Sequence, residues 1–169
     1  GAGINLRGQG TLVLQNTTVF NNSLALSSNG STSARAAGIH VNTSSMQLVN
    51  SVIGGSIGGF DCNERAGATV TANQFNIVHG SCATSAQARD PQLMSLANNG
   101  GTTKTHLPRD VSAAVNSGDN LNCQTQDQRD EIRARSNTDR CDIGAVEVVE
   151  ERGLFVVPTK NGNVIVFEL

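Results

Sequence analysis

The sequence predicts an all-β solenoid, a parallel β-helix in which short coils stack on one another. Two observations carry this prediction. Apolar and polar residues alternate over short segments, which is typical of strands with one buried face. One pair of such segments also recurs further along the chain, and a repeat of short strands is typical of solenoids. An ordinary β-sandwich is the alternative.

The first copy of the repeat has strands at residues 3–6 and 11–15, with a Gly-Gln-Gly turn between them. The second copy has the matching strands at residues 38–41 and 46–50, so the offset is 35 residues for the first strand and 34 for the second. Small and polar residues at 23–36 form a loop inserted between the two copies. Without this loop the repeat is roughly 20–22 residues long, within the range for solenoids.

A third, weaker copy follows at residues 68–71 and 73–78. The first two copies also share an asparagine after the second strand, so Asn16 would lie over Asn50 at a bend. We expect the two side-chain amides to hydrogen-bond along the stack as an asparagine ladder. Four Asn-x-Ser/Thr sequons, which matter only in a glycosylating host, begin at Asn16, Asn21, Asn29 and Asn42.

The composition divides the chain into three parts. Residues 1–85 read as β-helix coils, which we expect to continue upstream of the chain. Residues 86–147 read as a loop-rich, disulfide-stapled capping segment. Residues 148–169 contain two apolar strands around Asn161-Gly162, a turn signal that predicts a β-hairpin, with a sorting tail as the alternative.

The charge pattern excludes several classes of function. Only 15% of residues are charged and the net charge is −2, so no general field attracts nucleic acid. No apolar run is long enough to span a bilayer. The chain has no acidic residue before Asp61, so paired-carboxylate or calcium chemistry cannot be built from residues 1–60 alone.

Four cysteines, Cys62, Cys82, Cys123 and Cys141, indicate the compartment. No two of them form a Cys-x-x-Cys motif, and no histidine lies at the spacing of a zinc site, so we assign no metal or cofactor. An even number favours two disulfides in an oxidising compartment, with four buried thiols as the alternative. Three pairings are possible, and we favour the sequential one because it closes two short loops, each worth about 3 kcal/mol.

The order of motifs from residue 38 onward resembles the C-terminal part of the choice-of-anchor Q domain family. The motifs are Gly38-Ile39-His40-Val41, Leu48-Val49-Asn50-Ser51-Val52-Ile53, Asp61-Cys62, Phe75-Asn76-Ile77-Val78 with Cys82, Asp90-Pro91-Gln92-Leu93, Asn99-Gly100-Gly101-Thr102-Thr103 with Thr105-His106, Ser112-Ala113-Ala114-Val115-Asn116-Ser117-Gly118, Cys123, Asp127-Gln128-Arg129, Arg133 and Cys141-Asp142-Ile143-Gly144-Ala145-Val146-Glu147. The resemblance covers residues 1–147. Asp130 departs from it, since the family usually has glycine there.

This resemblance implies a secreted or surface-attached bacterial protein with a pectin-lyase-like, right-handed parallel β-helix. It also implies the sequential disulfides Cys62–Cys82 and Cys123–Cys141. It implies no single activity.

The densest group of charged residues lies near the second pair of cysteines. Its members are Asp127, Arg129, Arg133, Arg135, Asp139, Asp142 and Glu147. Arginine forks bridge carboxylates in two-pronged pairs and can hold together a region with little apolar mass. We therefore expect a structural polar network of Asp127, Arg129, Arg133, Asp142 and Glu147. A binding site for a sugar acid is the alternative.

No catalytic residue is assigned. A lyase without carboxylates could use a basic side chain, and the candidates are Arg7, Arg35, His40, Lys104 and His106. Nothing in their spacing selects one of them. His40 alternates outward from Ile39 and Val41, which predicts a solvated side chain, and His106 is expected to hydrogen-bond backbone in a turn.

These observations favour a secreted or cell-surface β-helix module without catalytic activity. Its role would be structural, adhesive or carbohydrate-contacting, and its partners extracellular polysaccharide or surface components. The alternative is the C-terminal part of a polysaccharide lyase or glycoside hydrolase whose catalytic coils lie upstream. The N-terminal coil, residues 1–7, carries little charge and no proline, so we expect it to promote self-association.

Overall fold

The computed structural model describes residues 3–25, 36–80, 82, 86–133, 139–149, 154–158 and 164–168. These residues form an all-β structure whose helical content is one 3₁₀ turn, Asn120–Asn122. The strands are β1 (Ile4–Arg7), β2 (Thr11–Gln15), β3 (Thr18–Phe20), β4 (Ala36–Asn42), β5 (Ser45–Val49), β6 (Val52–Gly54), β7 (Phe60–Glu64), β8 (Thr69–Thr71), β9 (Ile77–Val78), β10 (Leu154–Pro158) and β11 (Val164–Glu168).

The first nine strands form three parallel sheets of three strands each. Their orders are β1-β4-β7, β2-β5-β8 and β3-β6-β9, so each run of three consecutive strands adds one strand to every sheet. Ile4 pairs with Ile39, and Leu12 pairs with Met46. The pairing register therefore reproduces the predicted offsets of 35 and 34 residues.

The alternation of the strands places aliphatic side chains between the sheets. Ile39 and Val41 from β4, Met46 and Leu48 from β5, and Ile53 from β6 are buried in one cluster. Like residues lie over one another in successive strands, which keeps this row continuous. Burial of each such side chain contributes about 1.5–3 kcal/mol, so this cluster is the main support of the stacked strands.

A second apolar cluster lies between the third sheet and the capping segment. Val52 and Ile77, on the opposite face of β6 and β9 from Ile53, pack with Ala114 and Ile143. Strands β6 and β9 of the third sheet are therefore covered on both faces, which explains why neither contains a polar residue. Gly144, at φ +106°, allows this approach, because a Cβ there would lie 2.8 Å from Thr18 Oγ1.

Both disulfides have the sequential pairing. Cys62–Cys82 joins β7 to the chain after β9, with Cα atoms 5.6 Å apart. Cys123–Cys141 closes a loop within the capping segment, with Cα atoms 6.6 Å apart.

Strand β7 was missed by the sequence analysis. It pairs with β4, with Cys62 opposite Ile39, and supplies the first strand of the third run. The polar residue Asp61 at a buried position of β7 hides the alternation of apolar and polar residues that marks a strand. The number of residues between β4 and β7 is also smaller than that between β1 and β4, because no long loop precedes β7.

The capping segment is irregular, with isolated bridges such as Leu93 to Pro108 and Gln126 to Ile132. At the C-terminal end, β10 and β11 pair antiparallel, as the hairpin prediction requires. The Asn161-Gly162 turn lies outside the described residues. In the described part of the chain, no helix has the length and apolar character needed to cross a membrane.

Candidate functional site

The asparagines that follow β2 and β5 connect the stacked strands to the capping segment. Asn16 and Asn50 are buried, with φ values of 45° and 47°, a left-handed conformation that asparagine tolerates better than most residues. Asn50 Oδ1 accepts the N–H of Asp119 at 2.8 Å, and its Nδ2 donates to the Asp119 carbonyl at 3.0 Å. Asn16 Oδ1 accepts the N–H of Gln124 at 2.9 Å.

The prediction that the two side-chain amides hydrogen-bond to each other is therefore wrong. The two amides turn away from the stack and bind the backbone of the capping segment, as a neighbouring strand would. Of the sequons, Asn16 is buried in this contact, whereas Asn21 is exposed and Asn42 half-buried. The sequon at Asn29 lies outside the described residues.

The five residues of the expected polar network lie together below this contact. Asp127 is at its centre. Its Oδ1 accepts the backbone N–H of Arg129 at 2.6 Å and that of Glu131 at 3.2 Å. Its Oδ2 accepts the N–H of Glu147 at 2.9 Å and both Nε and Nη2 of Arg129, at 2.9 and 2.8 Å.

These five donors stabilise the ionised form of the Asp127 carboxyl. Burial by itself would raise the pKa of this carboxyl, but hydrogen bonds from the Glu147 N–H and from Arg129 outweigh it and hold the pKa below its usual value. Arg129 also donates to the carbonyls of Asn99 and Glu147. The Arg129–Asp127 pair thus joins three distant parts of the capping segment.

Arg133 is the most deeply buried cation of the described residues, with 2% of its surface exposed. Its Nη1 donates to Glu147 Oε2 at 3.0 Å, and its Nη2 donates to the Gly144 carbonyl at 2.8 Å. Its Nε has no hydrogen-bond partner. Burial lowers the pKa of Arg133, and the neighbouring Glu147 carboxylate opposes that shift.

Asp142 is the surplus acid of the network. Its two oxygens accept the backbone N–H groups of Asn116 at 2.7 Å and Val148 at 2.6 Å. Burial and the neighbouring Glu147 charge together raise the pKa of Asp142 to about 7. The network has two arginines and three carboxyls, so a proton on Asp142 makes it neutral.

The remaining members of the charged group differ: Arg135 lies outside the described residues, and the backbone carbonyl of Asp139 accepts Asn120 Nδ2 at 3.3 Å.

A polar cleft of about 320 Å³ opens beside the network. Residues 15–18, at the end of β2 and the start of β3, line one side. Gln124, Gln126, Asp127, Gln128 and Arg133 line the other side. This is the place where charged and amide side chains converge around an open volume.

The sequence analysis did not single out His79, whose ring contacts the carboxylate of Asp61. His79 Nδ1 lies 3.1 Å from Asp61 Oδ2, and its side chain is 62% exposed. Asp61 Oδ1 accepts the N–H of Ser56 at 2.5 Å, while the buried Ser56 hydroxyl has no hydrogen-bond partner. The signal was available, because Asp61 is the first acid of the chain and His79 directly follows the third copy of the repeat.

Four of the five basic candidates for a lyase lie in the described part of the chain, and no hydrogen bond joins these four side chains to one another. His40 is half-buried on β4, between Asn5 and Asn63 of the neighbouring strands. His106 Nδ1 lies 2.7 Å from the Met94 carbonyl, as expected for a turn residue, and its ring meets Phe20 edge-on at 5.1 Å. Arg7 and Lys104 are exposed, and Arg35 lies outside the described residues.

No group of three or more histidine, cysteine, aspartate or glutamate side chains is arranged to hold a metal ion among the described residues. Comparisons of the chain with protein-family models, with curated proteins and with solved structures give no match. The functional argument therefore depends on the geometry of this chain.

Proposed function

We propose that this chain is a non-catalytic module of a secreted or cell-surface protein, similar to the choice-of-anchor Q domain proteins, that contacts extracellular polysaccharide. One observation carries the proposal. The polar network of Asp127, Arg129, Arg133, Asp142 and Glu147 is turned inward and bonded to itself and to the backbone. Asp127 alone accepts five hydrogen bonds, so it has no capacity left to act on a substrate.

We further propose that the stacked strands form a right-handed parallel β-helix. The strand order supports this, because each run of three strands contributes in the same sequence to the same three parallel sheets. The aliphatic row between the sheets is what successive coils of such a helix bury. Two disulfides support an oxidising, extracellular compartment, since paired cysteines are rare in reducing ones.

The outer face of the β2-β5-β8 sheet supports contact with carbohydrate. Thr11, Ser45 and Thr69 are opposite one another in register and exposed, and Gln47 lies opposite Thr71 in the next row. The three strands contain no charged residue. Hydroxyl and amide groups repeated about 4.8 Å apart can exchange hydrogen bonds with a neutral sugar chain.

A second candidate is a polysaccharide lyase or glycoside hydrolase. The pairing of Asp61 with the exposed His79 favours it, because a carboxylate that orients an imidazole is a common arrangement for a general base. The remaining catalytic residues would then lie in coils upstream of this chain.

A glycan array and a turnover assay on the same protein test the proposal. We expect binding to neutral extracellular polysaccharides, no new ultraviolet absorbance from uronate polymers and no release of reducing sugar. The double variant Gln47→Ala/Thr71→Ala should weaken binding while its melting temperature stays unchanged. Turnover that disappears in His79→Ala would contradict the proposal in favour of the second candidate.

A further inference from the structure

A groove of about 280 Å³ lies on the outer face of the β2-β5-β8 sheet, beside the 3₁₀ turn Asn120–Asn122. It is lined by residues 47–49 of β5, by residues 71–73 at the end of β8 and by Asn122 of the turn. We call it the end groove. No residue of β2 is part of its lining, so the groove covers two strands of the sheet and stops short of the third.

The side chain of Gln15 closes the end groove on the side of β2. Gln15 is the last residue of β2 and lies opposite Val49 in register. Its Nε2 donates to the backbone carbonyl of Asn122 at 2.6 Å, so a side chain of the sheet bridges to the 3₁₀ turn. A chain that enters over β8 and β5 meets this bridge before it can reach β2.

The polar side chains of the end groove are accessible and partly fixed. All four are exposed, namely Gln47, Thr71, Asn73 and Asn122. Asn122 Nδ2 donates to Asp119 Oδ2 at 2.7 Å. Asn73 Oδ1 accepts the N–H of Phe75 at 3.1 Å. Asn122 Oδ1 and Asn73 Nδ2 have no partner among the described residues, so one can accept and the other can donate a hydrogen bond to a ligand. Amides that are already positioned lose little conformational entropy on binding.

The lining favours an uncharged ligand with hydroxyl groups. None of the lining residues is charged. The carboxylate of Asp119 is bonded to Asn122, so an anionic sugar placed against Asn122 would meet a like charge. The half-buried Val49 adds methyl groups that can contact the C–H face of a sugar ring. The volume is just below the usual range of about 300–1,000 Å³ for ligand pockets, which suits the end of a sugar chain better than a long segment.

We propose that the end groove binds the terminal residue of a neutral polysaccharide chain, with the Gln15–Asn122 bridge as the stop at which the chain ends. This inference rests on the proposed function and specifies it, because the outer face then contacts the end of a chain and not its interior. An end site engages the same rings whatever the length of the chain, so its affinity does not rise with length. An open face with groups repeated about 4.8 Å apart gains contacts with each added sugar.

Titration of the full chain with oligosaccharides of two lengths tests the end groove. The readout is nuclear magnetic resonance of the side-chain amides of Gln47 and Asn122, whose signals are assigned by their loss in Gln47→Ala and Asn122→Ala. The probes are cello-, xylo- and mannooligosaccharides of two and of six residues, with digalacturonate as the charged comparison. We expect at least one neutral series to shift both signals, with dissociation constants for its two lengths that agree within about twofold. Digalacturonate should bind more weakly.

Two variants separate the parts of the end groove. Asn122→Ala keeps the backbone carbonyl that Gln15 contacts and should weaken the binding of both lengths about fivefold. Gln15→Ala removes the bridge, so the hexasaccharide can continue over β2 and should then bind more tightly than the disaccharide. The matched control is Asn5→Ala, at an exposed asparagine of β1 in a different sheet, which should bind as the wild type does.

Several outcomes would overturn the end groove. They are tighter binding of the hexasaccharide than of the disaccharide by the wild type, wild-type affinity in Asn122→Ala, no gain with length in Gln15→Ala, and no shift with any neutral probe. Amide signals that shift with protein concentration alone would identify a second copy of the chain as the occupant and would also overturn it. In each case, array binding that falls in Gln47→Ala/Thr71→Ala leaves the proposed function intact. A glycan array without any binding refutes both.

Discussion

The stacked strands bury a row of aliphatic side chains, whereas the capping segment buries four charged ones, Asp127, Arg133, Asp142 and Glu147. In the strands, Ile39, Met46 and Ile53 are held by packing, and the backbone hydrogen bonds run between neighbouring strands. In the capping segment, regular backbone pairing is reduced to isolated bridges. Side chains such as Asp127 and Asn50 replace the missing backbone partners.

The two kinds of core make the two regions vulnerable to different substitutions. An aliphatic core tolerates substitutions of similar volume, because its contacts have no fixed direction. A buried charged network does not, because removing one member leaves another charge without its partner. We therefore expect the capping segment to respond more strongly than the strands to single polar substitutions and to pH.

The largest effect is expected from Arg133→Met. This change removes the cation that pairs with the buried Glu147 carboxylate and should lower the free energy of unfolding by about 3–5 kcal/mol. Arg65→Ala, at an exposed arginine after β7, is the control and should change it by less than about 0.5 kcal/mol. Chemical denaturation measures both, and similar midpoints for the two variants would contradict the structural role of the network.

The next effect is a dependence of stability on pH. The pKa of Asp142 is raised to about 7 in the folded chain, so folding favours its protonated form. That contribution is complete below the unfolded value near 3.8 and is lost as the pH rises through about 7. The pKa of Asp127 is lowered, so its contribution is present above its unfolded value and is lost only in stronger acid.

The chain should therefore unfold at a higher temperature at pH 5 than at pH 8, by an amount equivalent to roughly 2–3 kcal/mol from Asp142. Asp142→Asn removes the titrating group and should flatten this difference. Asp110→Asn, at an exposed aspartate, should preserve it. Equal melting temperatures of the wild type at pH 5 and pH 8 would show that burial and the neighbouring Glu147 charge do not disfavour the ionised form of Asp142.

The two regions also differ in what the sequence could predict. The register of β1 with β4 and of β2 with β5 followed from the repeat, because like residues stack in successive runs. The contacts of the capping segment leave no periodic signal. Asn50 and Asp119 are 69 residues apart, and Asp127 meets the backbone of Glu147 20 residues later. The sequence indicated which residues form the polar network, but not which of them bond to one another.

A smaller effect is expected at the asparagines that join the two regions. Asn50→Ala removes both hydrogen bonds to Asp119 and places alanine in a left-handed conformation, which together should cost about 2 kcal/mol. Asn50→Gly keeps the backbone conformation and isolates the loss of the amide. If Asn50→Gly is as stable as the wild type, the amide does not hold the capping segment. Asn16→Ala should cost less, since Asn16 makes one close backbone contact.

The smallest effect concerns association. Strands β1, β2 and β3 each have a single strand neighbour among the described residues, so the first run presents three sheet edges. Such edges pair readily with another chain unless charge or proline blocks them. We expect concentration-dependent association by light scattering, reduced by Asn5→Lys on β1. His40→Lys places the same charge in register on β4, an inner strand, and should have little effect. A chain that stays monomeric at millimolar concentration would show that these edges are covered, and the capping segment would then not be the only cap.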